Sequence, residues 1–309
     1  MRACARHPRP CSPLRVRAFT LIELLVVIAV IAVLISITIP ALAQARKTAE
    51  QVRETSALRQ HGMAYTVYAS DNRGALMPGF TPLEWVTPGL DPAHEVKVFY
   101  SDGGQARLYG SHARRYPWRL APYLGFSRDA LVIDKSIRRE FLELPDRPDT
   151  RDGFQWAYAY SPSFGINSTW VGGDARRGGF HQPSITRWGK YYVTTIDGPA
   201  LPEKLLIFGT SRGPHPISNS GVVPGHHRVE GPWVASSVIA QVPTFSPWDA
   251  PPGPFIRSRS PDDYGHLDFR HFGKAVVVAF DGHVSPVSID DLRDMRRWAN
   301  QATSANWHP

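Results

Sequence analysis

The chain has 309 residues, 42% of them hydrophobic, with 28 prolines, 25 glycines, 9 tryptophans, two cysteines and a formal charge of +8. That length can bury a core without disulfide or metal support. A charged content of only 20% beside so many aromatics excludes wholesale disorder and a collagen-like chain, and the proline and glycine load argues against a helical bundle.

Residues 1–18 hold Arg2, Arg6, Arg9, Arg15 and Arg17, no acid, and both cysteines, Cys4 and Cys11. From Phe19 to Ile39 the only polar residues are Thr20, Glu23, Ser36 and Thr38. As a helix this stretch rises about 31 Å, the hydrocarbon thickness of a bilayer. A secretory signal peptide would be cut after Ala41-Leu42-Ala43, but signal cores are shorter, roughly 7–15 residues. A signal peptide and a plain anchor both leave Glu23 unexplained, and a carboxylate in lipid costs about 2–3 kcal/mol without a partner.

Ala18-Phe19-Thr20-Leu21-Ile22-Glu23-Leu24-Leu25-Val26-Val27 resembles the prepilin-type cleavage and methylation motif of type IV pilins and type II secretion pseudopilins. The resemblance implies a cut between Ala18 and Phe19 by a prepilin peptidase, methylation of the new Phe19 amine, and pairing of Glu23 with the amine of a neighbouring subunit. A buried carboxylate needs a cation, and that cut makes one. The family has glycine before the cut; Ala18 is small enough for the same subsite. Pro40 falls where pilin helices carry a kinking proline. The same resemblance implies a single pass through the bacterial inner membrane, with residues 1–18 cytoplasmic and the large domain periplasmic. Implied partners are the peptidase, other pilins or pseudopilins met through the helix, and an inner-membrane assembly platform. Removing the leader's five arginines takes 35 basic residues to 30 against 27 acidic ones, leaving +3 and no cysteine. The basic character is then mostly targeting signal. Arg114-Arg115, Arg138-Arg139, Arg176-Arg177 and Arg296-Arg297 read as solvated surface, and no nucleic-acid partner is expected.

Past Pro40 the helical pattern continues to about residue 70, ahead of Ser70-Asp71-Asn72-Arg73-Gly74. Ala45, Ala49, Val52, Met63 and Val67, with Ser56 and Gln60, form the stripe expected to pack. Glu50 and Glu54 read as a like-charge pair. The stretch LRQHGMAYTVYASDNRGALMP resembles the helix end of large pseudopilin-like proteins. The implied fold is α+β and pilin-like: a helix over 19–70, with its span at 19–39, packed on an antiparallel sheet within a loop-rich body over 71–309. Strands are expected at 97–100, 154–160, 191–196, 204–208 and 234–242, and short helices at 118–124 and 137–144. Near the C-terminus, Asp281-Gly282 predicts a two-residue hairpin turn between strands at 274–280 and 283–287. Ser288 then caps a helix over 289–299. His271, nine residues, then Asp281-Gly282 resembles an H-x9-DG motif of large prepilin-like proteins.

Three constellations could carry chemistry. Gly209-Thr210-Ser211-Arg212-Gly213 has the form of a nucleophile elbow, but Pro214 and Pro216 deny the helix that form requires. His266, Asp268, His271, Asp281 and His283 are the densest metal-competent group and would suit zinc if the hairpin joined them. Some pseudopilins hold calcium in a C-terminal loop, which draws in Asp262 and Asp263 beside Asp268. The simpler reading lets His271 bond to the turn, with no resident cofactor. Trp85, Trp118, Trp156, Trp170, Trp188, Trp233 and Trp248 could form a sugar or peptide platform, or staple core and loops. The favoured reading is a structural assembly subunit without catalytic turnover, minor or tip-proximal in its filament. The alternative is a membrane-anchored extracytoplasmic binding protein for a glycan or a secretion substrate.

Overall fold

The structure is a computed structural model that describes residues 20–87, 89, 96–99, 105–145, 153–218, 220–236 and 244–309. The chain divides into two compact units, one ending at Ala49 and the other covering Glu50–Pro309. Helix α1, Leu21–Asp71, contributes to both and runs on through Pro40. In the first unit every described residue is exposed, including Leu21 at 79% and Ile37 at 65%. That stretch is long and apolar enough to cross a membrane.

In the second unit α1 buries Leu58, His61, Gly62, Ala64, Tyr65 and Ala69. The packing stripe expected from the sequence faces outward instead: Val52, Met63 and Val67 are 63%, 57% and 50% exposed. Both sides of the helix carry apolar residues, so periodicity alone does not choose between them. The buried side contains His61, Gly62 and Tyr65, which a hydrophobicity scale undervalues. Tyr65 donates from its hydroxyl to the Met77 carbonyl at 3.0 Å. Gly62 lets α1 approach the sheet, since a Cβ there would stand 2.9 Å from Val278 Cγ2. Overpacking costs about 1–3 kcal/mol and outweighs the helix-propensity gain of about 1 kcal/mol. Gly62→Ala is therefore expected to lower the thermal midpoint of the detergent-solubilised chain, and an unchanged midpoint would refute this contact.

After α1 the chain forms a hairpin of β1 (Val96–Phe99) and β2 (Gln105–Leu108). Five short helices follow: α2 (Gly110–Ala113), α3 (Pro117–Leu120), α4 (Arg128–Leu131), α5 (Lys135–Leu142) and α6 (Phe154–Tyr160). The helix expected at 118–124 is α3 continued by a 3-10 turn, Ala121–Leu124, and Asp134 caps α5 through the Ser136 and Ile137 amides. The strand expected at 154–160 is α6. Its alternating Phe-Gln-Trp-Ala-Tyr-Ala-Tyr pattern suggests two faces, but all residues from Phe154 to Ala159 are buried. Helical spacing brings Phe154 to Tyr158 and stacks Trp156 on Tyr160 at 5.3 Å.

The main sheet draws on β3 (Phe164–Asn167), β4 (Leu206–Thr210), β7 (Arg228–Val229), β10 (Lys274–Ala279) and β11 (Val284–Ser288), in the order β11-β10-β4-β3-β7. Its pairings are antiparallel except β3 with β7, which is parallel. Between these come α7 (Gln182–Trp188) and two small antiparallel pairs, β5 (Arg212–Pro214) with β6 (Val222–Pro224), and β8 (Trp233–Ala235) with β9 (Phe245–Pro247). β1 and β4 stand at the strands expected at 97–100 and 204–208, each shifted slightly. The segment 191–196 makes only isolated bridges, Val193 to Val171 and Thr195 to Ala75. Of 234–242, Val234 and Ala235 lie in β8, and 237–243 fall outside the described residues.

Alternation along β10 builds two cores. Val276 and Val278 join Leu58, Tyr65, Phe164 and Phe208 beneath α1, while Ala275 and Val277 join Trp170, Leu292, Met295 and Trp298 on the other face. Asn167 ties that far layer to the sheet, donating from Nδ2 to the carbonyls of Leu206 and Trp298, both at 2.9 Å. The third core holds Trp118, Phe141 and Tyr158 under the β1–β2 hairpin.

At the C-terminus the hairpin loop has three residues, not two. Ala279 donates to His283 O and Gly282 to Ala279 O, leaving Phe280-Asp281-Gly282 as a turn closed by glycine at φ +86°. The expected helix over 289–299 is broken. α8 (Ile289–Leu292), capped by Ser288, stops before Asp294, which recaps a 3-10 turn at Met295–Arg297.

Candidate functional site

Thr20 and Glu23 open α1 as a reciprocal capping box. The Thr20 amide and hydroxyl each donate to Glu23 Oε2 at 2.8 Å, and the Glu23 amide donates to Thr20 Oγ1 at 3.2 Å. In the uncut chain, therefore, Glu23 is engaged by its own helix end. Ala18 and Phe19, the expected processing residues, lie outside the described residues.

The second constellation joins the two ends of the body. His271 does not reach the Asp281-Gly282 turn. Its Nε2 lies 2.6 Å from Glu54 Oε2 on α1. Arg270 donates to the same carboxylate from Nε and Nη2 at 3.1–3.2 Å, and from Nη1 to Asp268 Oδ2 at 2.8 Å. A tight turn sets this up: His271 and Lys274 exchange backbone hydrogen bonds around Phe272 and Gly273, both at positive φ. Burial alone would raise the Glu54 pKa. The hydrogen bond from His271 and the charges of Arg270 and His271 prevail and hold it below the ordinary carboxylate value.

Glu54 and Arg270 are the residues that sequence reasoning missed. Glu54 was set against Glu50 on the helix surface, yet it heads the buried stripe Glu54-Leu58-His61-Tyr65-Ala69. A carboxylate at the end of such a stripe, and an Arg-His pair elsewhere in the chain, are the signal that could have joined them.

The five expected metal ligands do not converge, and no group of three or more metal-competent side chains forms among the described residues. His266 Nε2 meets Asp262 at 2.9 Å while its ring stacks on His226, centroids 3.7 Å apart. Asp268 and His271 serve Arg270 and Glu54, and Asp263 pairs with Arg259. At the exposed hairpin tip, Asp281 Oδ1 accepts from the His283 amide. Each carboxylate already has a nearer cation or amide, which is why proximity in sequence misleads here. Ser211, the elbow serine, is buried between β4 and β5, accepting from the His226 amide at 2.8 Å and donating to the His226 carbonyl at 2.9 Å. None of the seven singled-out tryptophans is exposed. Trp118, Trp156, Trp170 and Trp248 are buried and the others half-buried, so they staple the cores.

The family model of the prokaryotic N-terminal methylation motif matches residues 14–39, a span that includes Ala18, Phe19 and Glu23. The chain carries a prepilin-type methylation segment at its N-terminus. No curated protein and no solved structure matches the chain. The prepilin-type segment marks pilin-like structural subunits, implies processing by a prepilin peptidase and assembly with other pilins, and fits anchoring in the inner membrane.

Proposed function

We propose that this prepilin-type protein is a minor subunit of a type II secretion-like or type IV pilus-like filament, with its body in the periplasm. The observation that carries the reading is the methylation segment on a helix whose apolar residues all stand exposed in the first unit. Such a surface needs lipid before assembly and other helices after it. Cleavage before Phe19 leaves Thr20 and Glu23 at the new helix start and creates an amine beside them. A neighbouring subunit's amine then competes with the Thr20 cap for the Glu23 carboxylate. The large body, with three cores of its own, suits a subunit used in few copies.

Intact mass of membrane-extracted protein should show a chain starting at methylated Phe19. A start at Gln44 would establish ordinary signal-peptide cleavage and end this reading. Glu23→Gln separates capping from charge, because a carboxamide oxygen still accepts from Thr20. Both Glu23→Gln and Glu23→Ala should be cleaved normally and enter filaments about tenfold less, as expected for one lost charge pair. Normal incorporation of Glu23→Gln would show that the carboxylate serves the cap alone.

A further inference from the structure

Three arginines from two separate segments converge on one phenyl ring. The Cζ atoms of Arg176, Arg114 and Arg115 lie 4.0, 4.3 and 5.4 Å from the centre of Phe80. Phe80 is buried and bridges backbone to backbone with Arg115 on one side and Asp174 on the other. Arg115, 1% exposed, donates from Nη1 to the Ser111 carbonyl at 2.6 Å, faces Trp156 and Tyr160, and leaves Nε without a partner. Arg114 donates from Nε to the Thr81 carbonyl at 2.7 Å. Among the described residues, none of these three guanidinium groups forms an ion pair with a carboxylate.

Two of the nearby acids already hold other partners. Asp174 accepts from Ser168 Oγ at 2.7 Å and from the Arg176 amide at 2.8 Å. Glu230 pairs with Arg177 at 2.6 Å and Arg228 at 3.3 Å. The charge of Glu84 also reaches Arg114, so five arginines share the neighbourhood with three carboxylates, Asp174, Glu230 and Glu84. His226 and His227 do not redress the balance, because burial holds both well below the usual histidine value and leaves them neutral at pH 7. Burial pushes the Arg115 pKa well down, with Arg176 adding to it. The Arg176 value falls to about 10 through burial and the charge of Arg228. Each shift reports a cation that would gain from an anion.

The loop that carries Arg176 is held in place. Gly172 and Gly173 sit at positive φ, where a Cβ would stand 2.1 Å from Met77 O and 2.7 Å from the Tyr192 ring respectively. Arg177 points the other way, into its ion pair with Glu230, which fixes Arg176 over Phe80. Arg114 and Arg176 are half-buried and open to solvent, and Arg115 is buried.

We propose that Arg114, Arg115 and Arg176 form a binding site for a dianionic oxyanion of the phosphate class. A single carboxylate would neutralise one charge of the local excess. A phosphate group neutralises two and offers several acceptor oxygens to planar guanidinium forks. Free phosphate and a phosphate monoester on a larger molecule share this chemistry.

The test is calorimetric titration of the full chain in non-ionic detergent with sodium phosphate, glucose 1-phosphate and sodium acetate, at matched ionic strength. At least one phosphate compound should bind saturably and about tenfold or more tighter than acetate. Arg176→Gln should weaken that binding about tenfold, while its thermal midpoint without phosphate stays equal or rises as repulsion is relieved. The Arg176 guanidinium donates no hydrogen bond within the described residues, so this variant folds even if Arg115→Gln does not. Tight binding of phosphate alone assigns a free anion, and tight binding of the ester assigns a phosphorylated molecule. The proposal is overturned if neither phosphate compound binds, if acetate binds as tightly, or if Arg176→Gln binds like the parent chain.

Discussion

Glu54→Ala should lower the stability of the body by about 3 kcal/mol, because it takes from Arg270 and His271 the carboxylate they share in a mostly covered site. The Arg270 and His271 side chains are 15% and 5% exposed, so little water can replace the lost carboxylate. In a body of this size the thermal midpoint should fall on the order of 10 °C. Near-ultraviolet circular dichroism of the detergent-solubilised chain reads that loss directly, since Tyr65 and Tyr116 lie in the core beneath α1. Combining Glu54→Ala with Arg270→Ala should cost less than the two changes added, because both variants remove the same contact. A loss under about 1 kcal/mol for Glu54→Ala, typical of a surface pair, would show that the clasp contributes little.

Acid should loosen the same body well before most carboxylates titrate. His61 is fully covered on the sheet side of α1, edge-on to Phe164 at 4.8 Å, with Nδ1 on the Ala57 carbonyl and Nε2 unpartnered. Burial lowers its pKa from 6.5 to about 4, partly countered by the bond to Ala57. Because the unfolded chain binds this proton more readily than the folded one, the contribution is complete above pH 6.5. It is lost progressively as pH falls toward 4. The shift corresponds to about 3 kcal/mol. His226 and His227, also lowered by burial, act with the same sign. Glu54, held below 4.5, adds its loss only under more acid conditions. His61→Leu removes the first contribution, so its stability should decline about 3 kcal/mol less between pH 7 and pH 4. Curves that run parallel for the two chains would rule out His61 as a titrating group.

What the sequence disclosed divides by the physical range of the signal. The end of α1 near residue 70 and the C-terminal hairpin are local patterns, and both stand close to where they were expected. Glu23 stands out in the sequence because a carboxylate is costly in lipid whatever surrounds it. The packed face of α1 was misread because it depends on β10, more than 200 positions away, where Val278 needs a glycine opposite. The 154–160 segment was misread because burial on all sides erases the contrast that separates a two-residue from a 3.6-residue period. The metal group failed for a related reason. Proximity in the chain brought Asp268, His271 and Asp281 together on paper, whereas Arg270 and Glu54 claimed two of them in space. The arginine pairs read as solvated surface because nothing in the sequence shows that Phe80 draws Arg114, Arg115 and Arg176 to one ring.

The clasp between Glu54 and Arg270 spans 216 positions. During synthesis α1 is complete long before Arg270 and His271 are added, so its carboxylate waits for partners more than 200 positions further along. β10, which pairs with β4 and covers the face of α1, is made later still. Closing so long a loop is slow, and the sheet cannot be assembled in pieces as the chain emerges. Folding of the body is therefore tied to synthesis of the segment from Arg270 through β10. A fragment ending anywhere before residue 270 lacks both the clasp and the strand beside α1, and leaves the Leu58–Tyr65 surface bare for quality-control proteases.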